Sequence, residues 1–424
     1  MGKGKKATCI RNIRTPMTQT SSIHNNGRIH SMDAIRAIAM LLGVVLHATI
    51  SYKLTPLPSW PIDNTIHSIY FNYLYLLIHS FRMQLFFLVA GFFARFLYFK
   101  IGRKAFIWHR IRRILYPFAV CLVVIVPLSM LPFYYYEQTT MHPHWGAMQK
   151  LISALPQMFK WRGMAHLWFL YYLIIYYTAM LLLQQVSSHI QMKEAIITVG
   201  KKVLAFPKIK SLFALMLPVF SITCLFPRLP LEPYVGFKPD IPLMIYYLFF
   251  FLLGYLIHKF YSDKIAVFSN GAIIYFTIGI AITPLIGHLD LLQFSNNSMI
   301  LFLVIRLLFS IQTILLVIGF LGIFVKYLNS ENHLIRYISD ASYWIYLIHL
   351  PIVVWLQVLL INSQVPPIFR FWIVNIIGIG IPLATYALLV RYTFIGRSLN
   401  GPRKKRRKAP AENFSAPKIG HLEY

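Results

Sequence analysis

The chain has 424 residues, 58% hydrophobic and 16% aromatic, with a mean hydropathy of +0.61. It is too apolar for a soluble domain, and near-continuous apolar runs of about twenty residues exclude a barrel of short alternating strands, so an all-α polytopic membrane protein is expected. Its 41 basic residues outnumber 12 acidic ones for a formal charge of +29, which in a membrane protein reports topology before nucleic acid, and no nucleic-acid partner is expected.

Residues 1–30 open with MGKGKKATCIRNIRTP and hold no apolar region of their own, so they read as a basic cytoplasmic tail rather than a cleavable signal. Ten spans follow, at 34–53, 68–97, 114–136, 165–184, 211–226, 241–260, 267–287, 299–324, 339–360 and 369–392. Together they define a membrane domain over 31–393.

The first span lies in SMDAIRAIAMLLGVVLHATISY and carries Asp33, Arg36 and His47. Eleven residues at 100° each return Arg36 and His47 to within roughly 20° of one helix face, with Asp33 near it. His47 then sits ~16 Å deeper than Arg36, which puts an anion anchor at one interface and a proton acceptor near mid-membrane. The structural reading of the same residues is an interfacial arginine and a histidine bonded to a neighbouring helix.

The second span contains HSFRMQLFF, where His79 and Arg82 are three apart and share a face. An arginine near mid-span must meet a polar interior or a partner. The span is long enough to be tilted or broken, with the break expected near Gly91. Next comes the basic stretch 95–113, where Arg103, Lys104, Arg110, Arg112 and Arg113 are interleaved with Phe106 and Trp108. It reads as a solvated positive loop, or as a clamp for a phosphorylated cytoplasmic donor, since arginine pairs bidentately with phosphate and an aromatic ring stacks on a base.

The outer segment 137–164 holds His142, His144, Trp145, Trp161 and Arg162, and the segment 227–240 is rich in proline. Aromatic and polar groups together suit sugar rings, and equally an interfacial belt. His166 opens the fourth span. On the ninth, Asp340 lies at the cytoplasmic end, and Tyr343, Tyr346 and His349 share a face. The expectation is one buried polar pocket containing Asp33, His79, His166, Tyr346 and His349 beside His47 and Arg82. No carboxylate lies near mid-membrane, so the partner orienting His47 is not obviously Asp or Glu.

Threaded from a cytoplasmic amino terminus, 32 basic residues fall on the cytoplasmic side and 7 outside, with Arg82 and Arg306 within spans. This asymmetry puts both termini in the cytoplasm. Residues 394–424, with the run RKKRRK, read as a basic disordered cytoplasmic tail able to meet anionic lipid. Cys9, Cys121 and Cys224 are too scattered for a disulfide framework or zinc site, so no metal is expected.

Asp33-Ala-Ile-Arg36 followed by ten residues and His47, FRMQLFFLVAGFF at 81–93, RIRRILYPF at 110–118, HLWFL at 166–170 and SYWIYLIHLP at 342–351 resemble the acyltransferase 3 family of membrane acyltransferases. The likeness covers about 31–360 and is closest to the branch that puts succinyl groups on osmoregulated periplasmic glucans. It implies a multi-pass protein of a bacterial inner membrane that transfers an acyl group from a cytoplasmic acyl-CoA, succinyl-CoA or acetyl-CoA, to sugar hydroxyls of a periplasmic glycan, with no bound cofactor. By the resemblance His47 and Arg36 form the Arg-x10-His pair, with the histidine leading the catalysis; Arg82, grouped with them as catalytic, stands with His79 and Tyr346 as the alternatives for oxyanion stabilisation. Arg36, Arg103, Lys104, Arg110, Arg112 and Arg113 are expected to bind the donor. O-acetylation of lipopolysaccharide or exopolysaccharide, and a proton-coupled transporter built on the same buried groups, stand as alternatives. Oligomeric state is not legible.

Overall fold

Away from water every backbone polar group must be satisfied internally, and helices do this within a single segment. The computed structural model describes residues 30–401 except 66–67, 161–162, 187–208, 297 and 362, and the described residues contain no strand beyond an isolated bridge between Lys53 and Ser68. Of the tails expected at 1–30 and 394–424, residues 1–29 and 402–424 therefore lie outside the described residues.

Helix α1 (His30–Thr49) carries Asp33 in its first turn, the sign its dipole favours there, and His47 in its last. Its buried residues, among them Met32, Ala34, Ile35, Ala39, Met40, Val44, Leu46 and Ala48, surround the axis, so it lies inside the bundle with its polar side chains facing other helices. Helix α2 (Ile69–Arg110) is capped by Ser68, whose hydroxyl accepts from the Tyr70 amide. A π-helical turn, Ile111–Leu115, leads into α3 (Tyr116–Met141). The stretch Ile69–Met141 is helical over 73 residues, ~110 Å if straight and more than three times a bilayer's hydrocarbon thickness.

That stretch breaks at Gly102, whose φ of 78° and ψ of 168° leave the helical region, and not at the expected Gly91. Gly91 lies in regular helix, where its missing side chain lets the Phe251 backbone sit against it. Gly254 does the same for the Leu88 backbone. The two glycines bring the α2 backbone directly onto that of its neighbour, the usual device between membrane helices.

After the short α4 (Ala147–Ala154) come α5 (Trp168–Val186), α6 (Ile209–Thr223), α7 (Ile241–Tyr261), α8 (Ala272–Asn296), α9 (Met299–Tyr327), α10 (His333–Leu360), α11 (Pro367–Thr385) and α12 (Phe394–Asn400). Asp240, Ser298 and Asn332 cap α7, α9 and α10 by accepting from backbone amides. Among the described residues eight helical stretches are long and apolar enough to cross a membrane, and Lys210–Thr223 is a shorter apolar helix. Each of the ten expected spans coincides with a helix. The seventh begins later than expected, because residues 262–269 form a 3-10 stretch ahead of α8.

Helix α1 packs on α2, α10 and α11, while α2 packs on α7 and α8 on α9. In its most apolar window the α1 segment is 67% buried and the α8 segment 22%, so α1 is the axis and α8 the lipid-facing edge. The expected boundary at 393 also shifts: α12 returns to the bundle, Leu399 lines a cavity and Gly401 abuts the Arg113 guanidinium.

Candidate active site

The α1 helix has a cavity at each end. The first, about 270 Å³, is walled by His47 and Gly43 of α1, Tyr75, His79 and Arg82 of α2, His166 before α5, Tyr346 and His349 of α10, and Trp60 and Glu232 from two loops. The second, about 440 Å³, is walled by Asp33 and Arg36 of α1, His109 and Arg110 of α2, Arg113, Tyr177 of α5, and Asp340 and Tyr343 of α10. Met40, Phe86 and Phe169 line both, so an apolar septum of three side chains is what parts the histidine cavity from the arginine cavity. The helical rise between Arg36 and His47 is ~16 Å.

In the histidine cavity the His47 ring stacks on Trp60, with centroids 5.7 Å apart and planes at 8°. Trp60 is held there because its loop is tied at several points. Lys53 pairs with Ser68, the Asp63 amide donates to the Ser51 carbonyl, and the Trp60 Nε1–H donates to Gln357 Oε1 at 3.1 Å. Gln357 Nε2 in turn donates to the His47 carbonyl at 3.0 Å and the Ala48 carbonyl at 3.2 Å, which binds the end of α1 to α10. The Arg82 guanidinium lies against Gly43, where an added Cβ would fall 2.5 Å from Nη1. Among the described residues its one hydrogen bond is Nη2 to Met83 Sδ at 3.4 Å.

Glu232 arrives at this cavity from the proline-rich loop between α6 and α7. Tyr75 donates its hydroxyl proton to the carboxylate at 2.8 and 2.9 Å, and the Lys53 ammonium sits 3.9 Å over the Tyr75 ring. Burial pushes the Glu232 carboxyl above its usual range, against the pull of Tyr75 and Lys53; it also pushes the Lys53 ammonium down, against the pull of Glu232. A carboxylate carried in on a loop, of which the spans gave no sign, thus lines the histidine cavity.

The arginine cavity holds three guanidiniums. Arg36 donates from Nη2 to Ser339 Oγ at 3.1 Å and pairs with Asp33 at 3.4 Å. Arg110 lies over the rings of Phe106 and Tyr177 at 4.9 and 4.5 Å, and the Tyr343 hydroxyl donates to the Arg113 carbonyl at 3.0 Å. Three permanent cations in a recess with apolar walls attract a polyanion strongly, because a low local dielectric magnifies the field.

The expected single pocket is therefore two. His47, His79, Arg82, His166, Tyr346 and His349 come together in one, while Asp33, Arg36, Arg110 and Arg113 meet in the other. Arg103, Lys104 and Arg112 line neither. Arg103 donates to Gln185 at 2.9 Å on the exposed surface, and Lys104 and Arg112 are exposed. Of the outer aromatic and polar groups, Trp161 and Arg162 lie outside the described residues, and His142 stacks on Trp145 away from both cavities. Glu232, Trp60 and Gln357 were not anticipated; two sit in or beside loops and the third is an unremarked polar residue on an apolar helix. Among the described residues no group of three or more His, Cys, Asp or Glu side chains is arranged to hold a metal ion.

Comparison with known proteins adds an independent line. The profile of a family described as an acyltransferase domain matches residues 29–387. Proteins named glucans biosynthesis protein C from Salmonella schwarzengrund (strain CVM19633), Salmonella typhi and Salmonella typhimurium are each 24% identical over 400 residues, covering 93% of this chain and 98% of the relative. No solved structure matches the chain.

Proposed function

The chain belongs to the acyltransferase 3 family, and from that premise we propose that it carries an acyl group, succinyl by its likeness to the glucan relatives, from a cytoplasmic acyl-CoA to sugar hydroxyls of a periplasmic glucan. It is an acyltransferase with several helices suited to crossing a membrane; the inner membrane of a bacterium, ten crossings and two cytoplasmic termini are part of the proposal. The observation that carries it is the pair of abutting cavities, one lined by guanidiniums and one by imidazoles, on a single helix.

Coenzyme A is polyanionic at one end and carries a thioester at the other. Its phosphates suit Arg36, Arg110 and Arg113, and its arm then reaches past Met40, Phe86 and Phe169 toward His47. The neutral imidazole takes the proton of a sugar hydroxyl as that oxygen attacks the thioester carbonyl. The C–O bond forms, the C–S bond breaks, and the proton passes from His47 to the departing thiolate. Arg82, aimed into the cavity without an ion pair among the described residues, offers its N–H groups to the oxyanion that forms in between. Tyr75 and Glu232 meet the incoming acceptor, the carboxylate accepting from its hydroxyls.

The experiment is mass spectrometry of periplasmic glucans from cells with the protein, without it, and with His47→Ala. Loss of a succinyl-sized substituent in both altered strains is expected. Unchanged glucans in the deletion would remove the glucan assignment, and full substitution with His47→Ala would remove the catalytic role of His47.

A further inference from the structure

Building on the proposed reaction, we infer that His349 is the positioning residue for His47, holding its ring in the tautomer a base requires. His349 Nδ1 lies 2.8 Å from the Tyr346 carbonyl and 3.2 Å from the Ile345 carbonyl. A carbonyl only accepts, so Nδ1 carries the hydrogen and, in the neutral ring, Nε2 is left as a bare lone pair. That Nε2 is buried, with no partner among the described residues.

Two imidazoles flank it, each with its centroid 5.3 Å away. His166 donates from Nε2 to the Leu347 carbonyl at 3.1 Å, so its inner nitrogen, Nδ1, is likewise a lone pair and cannot satisfy His349. His47 is the ring left to do so. Its Nδ1 is also buried and without a partner among the described residues, and rings joined by an in-plane N–H···N bond have centroids roughly 5 Å apart. An acceptor without a donor thus stands beside a ring nitrogen, His47 Nδ1, that can carry a hydrogen, with the two centroids 5.3 Å apart.

Turning the His47 ring within its stack on Trp60 closes the bond. With Nδ1–H committed to His349, His47 Nε2 is the unprotonated nitrogen that faces the cavity, the atom able to take a hydroxyl proton. His349 so fills the place that an aspartate takes beside many catalytic histidines, without placing a fixed negative charge in the membrane. The pair faces Arg82 and His79 from α2, His166 from before α5 and Tyr346 from its own helix.

The test uses the full-length protein in lipid nanodiscs, with succinyl-CoA or acetyl-CoA as donor and glucose oligomers as acceptor. His349→Phe keeps a ring and removes the acceptor; about a hundred-fold loss of kcat is expected, with both KM values unchanged. His349→Gln returns an acceptor oxygen near Nε2 and is expected to recover activity to within about ten-fold of wild type. Equal impairment by Phe and Gln, or wild-type activity with Phe, would overturn the assignment. A second readout needs no activity: nitrogen NMR of ¹⁵N-histidine-labelled protein is expected to find His349 protonated at Nδ1 and His47 at Nδ1, and a proton on His349 Nε2 would overturn it. Failure of the wild-type protein to transfer either acyl group would count against the proposed reaction alone, with the NMR result still deciding the tautomer.

Discussion

At the scale of single residues the site depends on groups that other residues hold still. Arg82 occupies the space left by the absent side chain of Gly43. Gly43→Ala is expected to push the guanidinium aside and lower kcat by about a hundred-fold, with donor KM unchanged, as misplacement by ~1 Å does elsewhere; wild-type kcat would contradict it. Glu232 gives a pH dependence. Its folded pKa is raised from 4.5 by burial, so between that value and the higher one the folded state binds more protons than the unfolded state, and stability falls as pH rises. Thermal unfolding from pH 4 upward is expected to show wild type losing ground to Glu232→Gln across this window. A parallel pair of curves would mean that Glu232 is not desolvated.

The elements set where those residues stand. The loop that presents Trp60 is anchored by Asp63, whose carboxylate meets Arg370 of α11 at 2.6 Å with both side chains almost wholly buried. Arg370 also donates to the carbonyls of Ile361, Ser363 and Val365. Removing one partner of such a pair strands the other, so Asp63→Ala is expected to cost about 3–5 kcal/mol in unfolding measurements and to impair transfer through Trp60. The α2–α7 contact is equally unforgiving: Gly254→Leu drives a side chain into the Leu88 backbone, and loss of folded protein by size-exclusion chromatography is the expected result. Apolar runs and charge asymmetry made the helices legible, and the Arg36–His47 spacing made the axis of the site legible. The break at Gly102 was not, because a glycine reads alike whether it supplies a positive φ or a close backbone contact. The sorting of the basic run, by contrast, follows its spacing: Arg110 and Arg113 are three apart and face the cavity, while Arg112 faces out.

Across the whole molecule the two cavities replace the single pocket that helix spacing suggested. A residue's position along a span was readable, but the septum arises from three side chains on three helices, Met40, Phe86 and Phe169, that no local pattern connects. Glu232 escaped for a related reason, since a loop folding back into a bundle leaves no periodicity. The division into two cavities fits a reaction whose donor and acceptor lie on opposite sides of a membrane, and this is the central claim. The direct measurement reconstitutes the protein in sealed proteoliposomes with its donor cavity facing the lumen, acyl-CoA inside and glucose oligomers outside, and follows acylated oligomer in the outer solution. Product is expected outside with wild type and none with His47→Ala. Product formed only when donor and acceptor share one compartment would contradict it.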